Sequence, residues 1–211
     1  MALTQRKILE SLSASRSSKI LDWGCGRGDQ IDALNLFGYI NVSGLDIDSS
    51  LSRDDVSIDK DSIGWLERHP EEWDVILARE SIYYIPKTQQ QRLWSAFNSA
   101  LKPGGKLVVI AFNGALTSSE WIRQKDLGIE MIFNEITLRD LAESTYFRDI
   151  QVSEIHLTHR TPLGHIFSVC LYLYRNLSNR IRFITERGID NNNPRLFSKS
   201  IILEARKSRT E

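Results

Sequence analysis

Apolar positions along the chain fall into two patterns, short continuous runs and stretches with a helical period. The runs fit strands of a parallel sheet covered on both faces, because such strands read as uninterrupted apolar segments. The helical stretches have apolar residues three and four positions apart. Strands are predicted at 20–21, 42–48, 73–78, 106–112, 149–157 and 200–205, and helices at 4–15, 29–39, 63–66, 89–101 and 137–145. This alternation predicts a doubly wound α/β fold.

A glycine-rich turn follows the first predicted strand. Gly24, Gly26 and Gly28 are spaced GxGxG between that strand and the first of the alternating helices. Glycine suits a backbone that must bend sharply and let a ligand come close, because it has no Cβ. Asp29 is expected to cap the helix, whose first N–H groups would face the ligand. The turn predicts a nucleotide-like ligand, although a plain tight turn would look the same.

The second predicted strand ends in acidic residues, of which Asp46 is the first. It follows Gly24 by about 20 residues, the separation at which an acid at a strand tip hydrogen-bonds a ribose hydroxyl. A dinucleotide site of the G-x-G-x-x-G type fits poorly, since the third glycine comes one position early in GCGRG. The unit is therefore predicted to bind a nucleoside.

Composition and charge exclude several classes of protein. With 27 basic and 27 acidic residues, the chain lacks the net positive field of nucleic-acid-binding proteins, so no nucleic acid partner is expected. Two cysteines provide neither a disulfide framework nor a metal cluster, and no metal is predicted. No signal peptide or membrane-spanning run is evident, since spanning takes roughly 20 apolar residues. The expected location is the cytoplasm, with peripheral contact to the inner face of the membrane as an alternative.

From about Lys19 to Lys207 the chain resembles the class I S-adenosylmethionine-dependent methyltransferases. The segments that carry the resemblance are ILDWGCGRG, GLDID, DSIGWLE, EEWDVILARE, ALKPGGKLVVIAF and SIILEARK, in the family's order. The resemblance implies a Rossmann-like seven-stranded sheet whose last strand is antiparallel and lies beside the sixth. It also implies S-adenosylmethionine as the cofactor and a single domain over residues 1–211, with a helical insertion at about 158–199.

The resemblance assigns cofactor-binding roles to positions in four segments. Those expected to face the methionine portion, or to close the turn over it, are Asp22, Gly24, Cys25, Gly26 and Gly28. Those expected at the ribose and the adenine are Asp46, Ile47, Asp61 and Ser62. Ala78 and Arg79 are expected beneath the cofactor, near the sulfonium. Asp46 and Asp61 could instead be ordinary acids at the ends of secondary structure, and Trp23 could either pack or crowd the pocket.

The residue that would remove a proton from the methyl acceptor is less clear. Related small-molecule and sugar methyltransferases often carry Glu-His after the fourth strand, where this chain has Tyr83-Tyr84. Glu80 and Tyr84 are the candidate catalytic residues, and Glu80 could equally pair with Arg79 or cap a helix. The other candidates are His156, His159 and His165.

The insertion is the best indication of the substrate. One helical face carries Ile166, Cys170, Leu173, Leu177, Ile181 and Ile184, and the residues largely opposite are Tyr172, Arg175, Asn179, Arg182 and Glu186. The segment could be a lid helix packed on the domain's own sheet or a surface that meets a membrane. Its basic, apolar character resembles methyltransferases of bacterial surface-polysaccharide assembly.

Three functions are therefore considered. The favoured one is O-methylation of a sugar or another small-molecule hydroxyl, on a free or lipid-linked glycan. The alternatives are an RNA or protein methyltransferase and a non-catalytic S-adenosylmethionine-binding domain of a larger assembly enzyme. The oligomeric state is left open.

Overall fold

A seven-stranded sheet forms the centre of the computed structural model, which describes residues 3–116, 124–155, 162–187, 195–196 and 198–209. The strands are β1 (Lys19–Trp23), β2 (Asn41–Asp46), β3 (Val56–Ile58), β4 (Trp73–Arg79), β5 (Leu101–Phe112), β6 (Phe147–Ile155) and β7 (Ser200–Lys207). Their order across the sheet is β3-β2-β1-β4-β5-β7-β6. Among the strands of the described residues, only β7 pairs in antiparallel fashion, with β5 on one side and β6 on the other. The predicted doubly wound sheet with its last strand antiparallel is confirmed.

Helices connect the strands. They are α1 (Leu3–Leu12), α2 (Asp29–Leu36), α3 (Ser62–Glu67), α4 (Gln90–Ala100), α5 (Glu135–Ser144) and α6 (Pro162–Arg187), with short 3₁₀ turns at Ile82–Tyr84 and Lys87–Gln89. The last of these, α6, lies in the insertion predicted between the sixth and seventh strands. None of the helices in the described part of the chain is long and apolar enough to cross a bilayer.

Two apolar clusters cover the two faces of the sheet, which explains the continuous apolar runs. Along β4, Ile76 and Ala78 point into the cluster that contains Trp94, Phe97 and Phe147. Val75 and Leu77, the alternating residues, point into the cluster built on α1 and α2. Because successive strand residues face opposite sides, a strand buried on both faces must be apolar at every position.

Several local predictions differ from the structure. The edge strand β3 was missed, because its three residues are only partly buried or exposed and follow an acidic segment. The expected cap at Asp29 is wrong, since Gly28, at φ 84°, is the N-cap of α2 and Asp29 is its first residue. Helix α5 begins earlier than predicted, capped by Asn134 in a capping box with Thr137. The sixth strand also begins earlier, at Phe147.

The topology determines where a ligand can bind. From β1 the chain moves outward through β2 to β3, and then crosses back to place β4 on the other side of β1. In open α/β sheets, such a switch point leaves a crevice at the carboxyl ends of the strands. The ends of β1, β2 and β4 therefore define the place to look for the site.

Candidate active site

The glycine turn after β1 is bound tightly to its neighbours. Gly24 has φ 72°, and a Cβ there would clash with the Cβ of Ser81, just beyond β4. The Ser81 hydroxyl in turn donates to the carbonyl of Trp23 at 3.0 Å. A residue with a side chain at position 24 would thus be both strained and obstructed. Glycine at this position lets the exits of β1 and β4 approach each other.

The N–H groups of the turn are satisfied within the protein. Gly24 and Cys25 both donate to the carbonyl of Leu45, at 2.8 and 3.2 Å. Gly26 donates to Oδ2 of Asp46 at 2.7 Å, and Oδ1 of the same carboxylate accepts from Asp48 at 3.0 Å. A carboxylate has about four acceptor positions, so Asp46 keeps capacity for further donors.

A cavity of about 310 Å³ opens at the predicted switch point. Its lining residues come from the glycine turn, the end of β2, the start of α3 and the segment after β4: Trp23, Gly24, Gly26, Leu45, Asp46, Ile47, Ser62, Glu80, Ser81, Tyr84 and Ile85. A Cβ on Gly26 would meet no atom within 4 Å, so the backbone there borders open space. We name this space the donor cavity.

Of the residues predicted to bind cofactor, Gly24, Gly26, Asp46, Ile47 and Ser62 line the donor cavity together. The other predicted residues do not line it: they are Asp22, Cys25, Gly28, Asp61, Ala78 and Arg79.

Asp61 caps α3, where its side chain accepts from the N–H of Gly64 at 3.0 Å. Gly28 makes room for the guanidinium of Arg53, which a Cβ would meet at 2.7 Å. That guanidinium is held by Asp32 and Asp55 at 2.7 to 3.1 Å. Both positions therefore have a structural explanation in this fold.

Cys25 and Trp23 are set by packing. The sulfur of Cys25 occupies the space beside Gly44, whose missing Cβ makes that contact possible. Burial, with the negative charges of Asp22 and Asp46, raises the pKa of the Cys25 thiol to about 12, so the thiol stays protonated. Trp23 packs edge-on against Phe97 with ring centroids 5.3 Å apart, while its other side lines the donor cavity.

Asp22 and Ala78 are buried, with Asp22 only 2 % exposed, and neither lines the donor cavity. Burial raises the pKa of the Asp22 carboxyl to about 7; the positive charge of Arg79 opposes this rise and the negative charge of Asp46 adds to it. Arg79 also donates to the side chain of Gln30 at 3.2 Å. The residue before Trp23 in β1 is thus a buried acid whose pKa lies near neutral pH.

A second cavity, of about 810 Å³, adjoins the first. It is lined by Glu80, Tyr83, Tyr84, Phe112, Lys125, Asp126, Leu127, Gly128, Ile129 and Lys199. We name it the acceptor cavity. Glu80 and Tyr84 line both cavities, and these are the two residues predicted as catalytic. Glu80 has φ 54°, unusual for a residue other than glycine, with its N–H donated to Ile110 at 2.8 Å.

Tyr84 is paired with an acid that sequence reasoning missed. Its hydroxyl donates to Oδ2 of Asp126 at 2.8 Å, while the ring is 45 % exposed. Partial burial, and then the hydrogen bond to Asp126, raise the pKa of Tyr84, so the phenol is neutral at pH 7. The backbone carbonyl of Tyr83 accepts from Glu130 and Met131 and ties the same loop down.

The other three candidates, all histidines, carry no structural description. His156 and His159 fall outside the described residues, and so does the side chain of His165. Among the residues the structure covers, no three His, Cys, Asp or Glu side chains come together as a metal site would require. Asp126 and Lys199 belong to no recognisable sequence motif, so sequence reasoning missed them. Of the acceptor-cavity residues that it missed, Phe112 could have been placed at the carboxyl ends of the strands, because it ends a predicted strand.

Known proteins resemble the chain in family and in fold. Residues 2–161 match the family described as "Methyltransferase domain". The chain belongs to this methyltransferase family. The predicted class, an S-adenosylmethionine-dependent methyltransferase, is thereby confirmed. No curated protein matches the methyltransferase in sequence.

Solved structures share the methyltransferase's fold at low sequence identity. An S-adenosylmethionine-dependent methyltransferase from Archaeoglobus fulgidus is 17% identical with a TM-score of 0.68, over 97% of this chain and 91% of that one. Haemonchus contortus phosphoethanolamine N-methyltransferase 2, solved with phosphomonomethylethanolamine and S-adenosylhomocysteine, is 16% identical with a TM-score of 0.63, over 98% and 52%. A chain from the complex of the Haloferax volcanii Trm112 methyltransferase activator with a methyltransferase is 16% identical with a TM-score of 0.68, over 98% and 90%.

Proposed function

We propose that this methyltransferase transfers a methyl group from S-adenosylmethionine to a hydroxyl of a sugar or another small molecule. The observation that carries the proposal is the junction of two cavities at Glu80 and Tyr84. A donor in one cavity and an acceptor in the other would meet at these side chains. Holding two reactants in line is itself worth roughly 7–11 kcal/mol in favourable cases.

The donor cavity fits S-adenosylmethionine in its chemistry. Asp46 offers a carboxylate with unused acceptor capacity to ribose hydroxyls, while Ile47 and Trp23 offer apolar surface. Because the space beside Gly26 is open, the cofactor can approach the backbone there closely. Asp22 does not line the cavity, so we assign it an electrostatic role: its negative charge, next to Trp23 in the chain, attracts the cofactor's ammonium. Arg79 partly offsets the charge of Asp22.

Bound S-adenosylmethionine supplies a methyl group on a sulfonium, which leaves as a neutral thioether when the acceptor attacks. The protein must then take the proton of the acceptor hydroxyl. A neutral phenol can do so only if it gives up its own proton at the same time. We therefore assign proton removal to a relay in which Tyr84 Oη takes the acceptor proton and gives its own to Asp126 Oδ2.

The acceptor cavity favours a polar molecule with flat apolar surfaces. The rings of Tyr83 and Phe112 stack with centroids 5.6 Å apart, and Tyr83 and Tyr84 lie 4.7 Å apart. Such rings pack against the C–H face of a sugar, while Lys125 and Lys199 on the rim suit hydroxyl or anionic groups. Together with the resemblance of the insertion, this supports a glycan of bacterial surface polysaccharides, free or lipid-linked.

The test is methyl transfer from labelled S-adenosylmethionine to a panel of nucleotide sugars, glycans and lipid-linked oligosaccharides. The panel includes phosphoethanolamine, the acceptor class named for the Haemonchus contortus relative, and RNA and protein pools. Transfer to a sugar hydroxyl supports the proposal, and transfer to an amine, RNA or protein alone contradicts it. Cofactor binding with no transfer to any acceptor would support a non-catalytic module.

The proton relay is tested with Tyr84→Phe and Asp126→Asn. General acid–base groups contribute about 10²- to 10⁴-fold, so each variant should lose about a hundredfold in kcat with little change in cofactor affinity. Tyr146→Phe, a tyrosine that is 77 % exposed elsewhere on the domain, is the matched control. If Glu80→Gln alone abolishes turnover while Tyr84→Phe does not, Glu80 is the proton acceptor and the relay is wrong.

A further inference from the structure

Helix α6 exposes its apolar face. Six large apolar side chains along it are 43 to 72 % exposed: Val169, Leu173, Tyr174, Leu177, Ile181 and Ile184. We name this row the α6 stripe. At 1.5 Å per residue it is roughly 22 Å long. Scattered exposed apolar residues are normal, but a continuous row of this length marks an interaction surface.

The opposite face of the same helix is the one turned toward the protein. The hydroxyl of Tyr172 donates to the carboxylate of Glu154, on β6, at 2.6 Å. Asn179 is buried, with only 5 % of its surface exposed. At about 100° per residue, Tyr172 and Asn179 lie roughly 140° to 160° around the helix from Leu177. Among the described side chains of α6, Tyr172 and Asn179 thus face the protein and the stripe faces outward.

The charge on α6 distinguishes among the surfaces that could cover the stripe. The helix contains four arginines and one glutamate in a chain with no net charge. Arg180 is exposed and lies about 60° from Leu177, at the border of the stripe. Arg182, also exposed, lies about 140° from Leu177, on the polar side of the helix. An exposed apolar row on a helix with a basic border and a basic polar side is the arrangement with which amphipathic helices lie on anionic bilayers. A second copy of this helix would bring like charges together.

We propose that the α6 stripe docks this methyltransferase on an anionic lipid surface. The helix lies parallel to the surface, with the stripe among the acyl chains and Arg180 at the headgroups. This goes beyond the proposed function, because the binding surface is separate from the cavities.

The position of the insertion in the fold relates the α6 stripe to the acceptor cavity. Ser200, at the start of β7, pairs with Phe112 of β5 and with Ile155 of β6, so the chain returns to the sheet edge it left. Phe112 and Lys199 line the acceptor cavity at that edge. Docking through α6 would thus attach the bilayer to the sheet edge that carries the acceptor cavity. This arrangement suits a lipid-linked acceptor.

The experiment is sedimentation of the full chain with vesicles, at low and high salt. Vesicles of phosphatidylcholine with one quarter phosphatidylglycerol should bind the protein, and vesicles of phosphatidylcholine alone should bind it about tenfold or more weakly. Added salt should weaken binding to the anionic vesicles.

The variant Leu177→Asn/Ile181→Asn should lose about tenfold or more in vesicle affinity and keep its melting temperature, since both side chains are already exposed. Leu36→Asn/Ile40→Asn, two exposed apolar residues on and after α2, is the matched control and should bind vesicles normally. The proposal is overturned if anionic vesicles do not retain the protein. It is also overturned if the chain is a dimer that Leu177→Asn/Ile181→Asn converts to a monomer, because the stripe then binds a second copy. None of these readouts depends on methyl transfer, so the docking surface and the proposed function fail separately.

Discussion

Replacing the buried acid Asp22 with asparagine should stabilise the protein while weakening cofactor binding. The pKa of Asp22 rises from 3.8 to about 7 in the folded state, because the carboxylate is buried. Between these values the folded protein holds a proton that the unfolded chain has released. Each unit of pKa difference corresponds to 1.36 kcal/mol. The charge of Asp22 therefore costs about 4 kcal/mol of folding free energy above pH 7, and nothing below about pH 4.

The sign of the pH dependence follows directly. Since the folded state binds more protons between pH 4 and pH 7, the unfolding free energy of the wild type falls as the pH rises through this window. Asp22→Asn has no proton to lose there, so the difference between variant and wild type should widen up to about pH 7 and then stay constant. At pH 8 the variant's melting temperature should exceed the wild type's by roughly 10 °C more than at pH 4.

The assay is thermal and denaturant unfolding of both proteins between pH 4 and pH 8, without cofactor. Asp54→Asn, which removes an exposed carboxylate, is the control for loss of charge. A difference that does not change with pH, or one that shrinks as the pH rises, would refute the reasoning. The second result would mean that the attraction of Arg79 outweighs burial.

Three further predictions concern packing, capping and a half-buried ion pair. Gly24→Ala should destabilise the protein by about 1–3 kcal/mol and weaken cofactor binding, and Ser81→Gly should restore part of both, as unfolding and binding titrations would show. Asn134→Ala, which removes the capping box of α5, should cost about 1 kcal/mol in denaturant unfolding, whereas an unchanged midpoint would rule out a stabilising cap. Glu204→Gln should cost about 3 kcal/mol, because it leaves the charge of Lys106, whose Nζ lies 2.7 Å from Glu204 Oε2, without an opposite charge; equal stability would mean that solvent compensates that charge.

Much of the fold could be predicted because burial on two faces leaves a plain signal. The predicted strand at 73–78 contains four consecutive apolar residues, 75–78, and the structure assigns β4 there with only one further residue, Arg79. The strand β3 carries no such signal, because it lies at the sheet edge and none of its three residues is fully buried. Residues 102–105 lie between the predicted helix at 89–101 and the predicted strand at 106–112, yet they belong to β5, with an irregular register opposite β4. These residues are part of the strand because of pairing with a neighbouring strand, and no local sequence pattern shows such pairing.

The two halves of the site differed in how far they could be predicted. The donor cavity could be predicted from the spacing of the glycines and Asp46, because one βαβ unit supplies most of its lining. Asp126 and Lys199 lie far apart in sequence and meet only through the crossover that inserts β7. The apolar face of α6 was visible as a pattern, but the pattern could not tell which way it faces. That depended on inward contacts such as Tyr172 with Glu154.

The pairing of Ser200 with both Phe112 and Ile155 makes the segment between β6 and β7, residues 156–199, an exchangeable insertion, which we call the cassette. Its two ends are fixed by sheet hydrogen bonds that do not depend on what lies between them. The family match ends at residue 161, inside this cassette. A descendant or an engineer could therefore exchange the cassette for another and change where the enzyme works, or what it accepts, while the methyl donor is held as before.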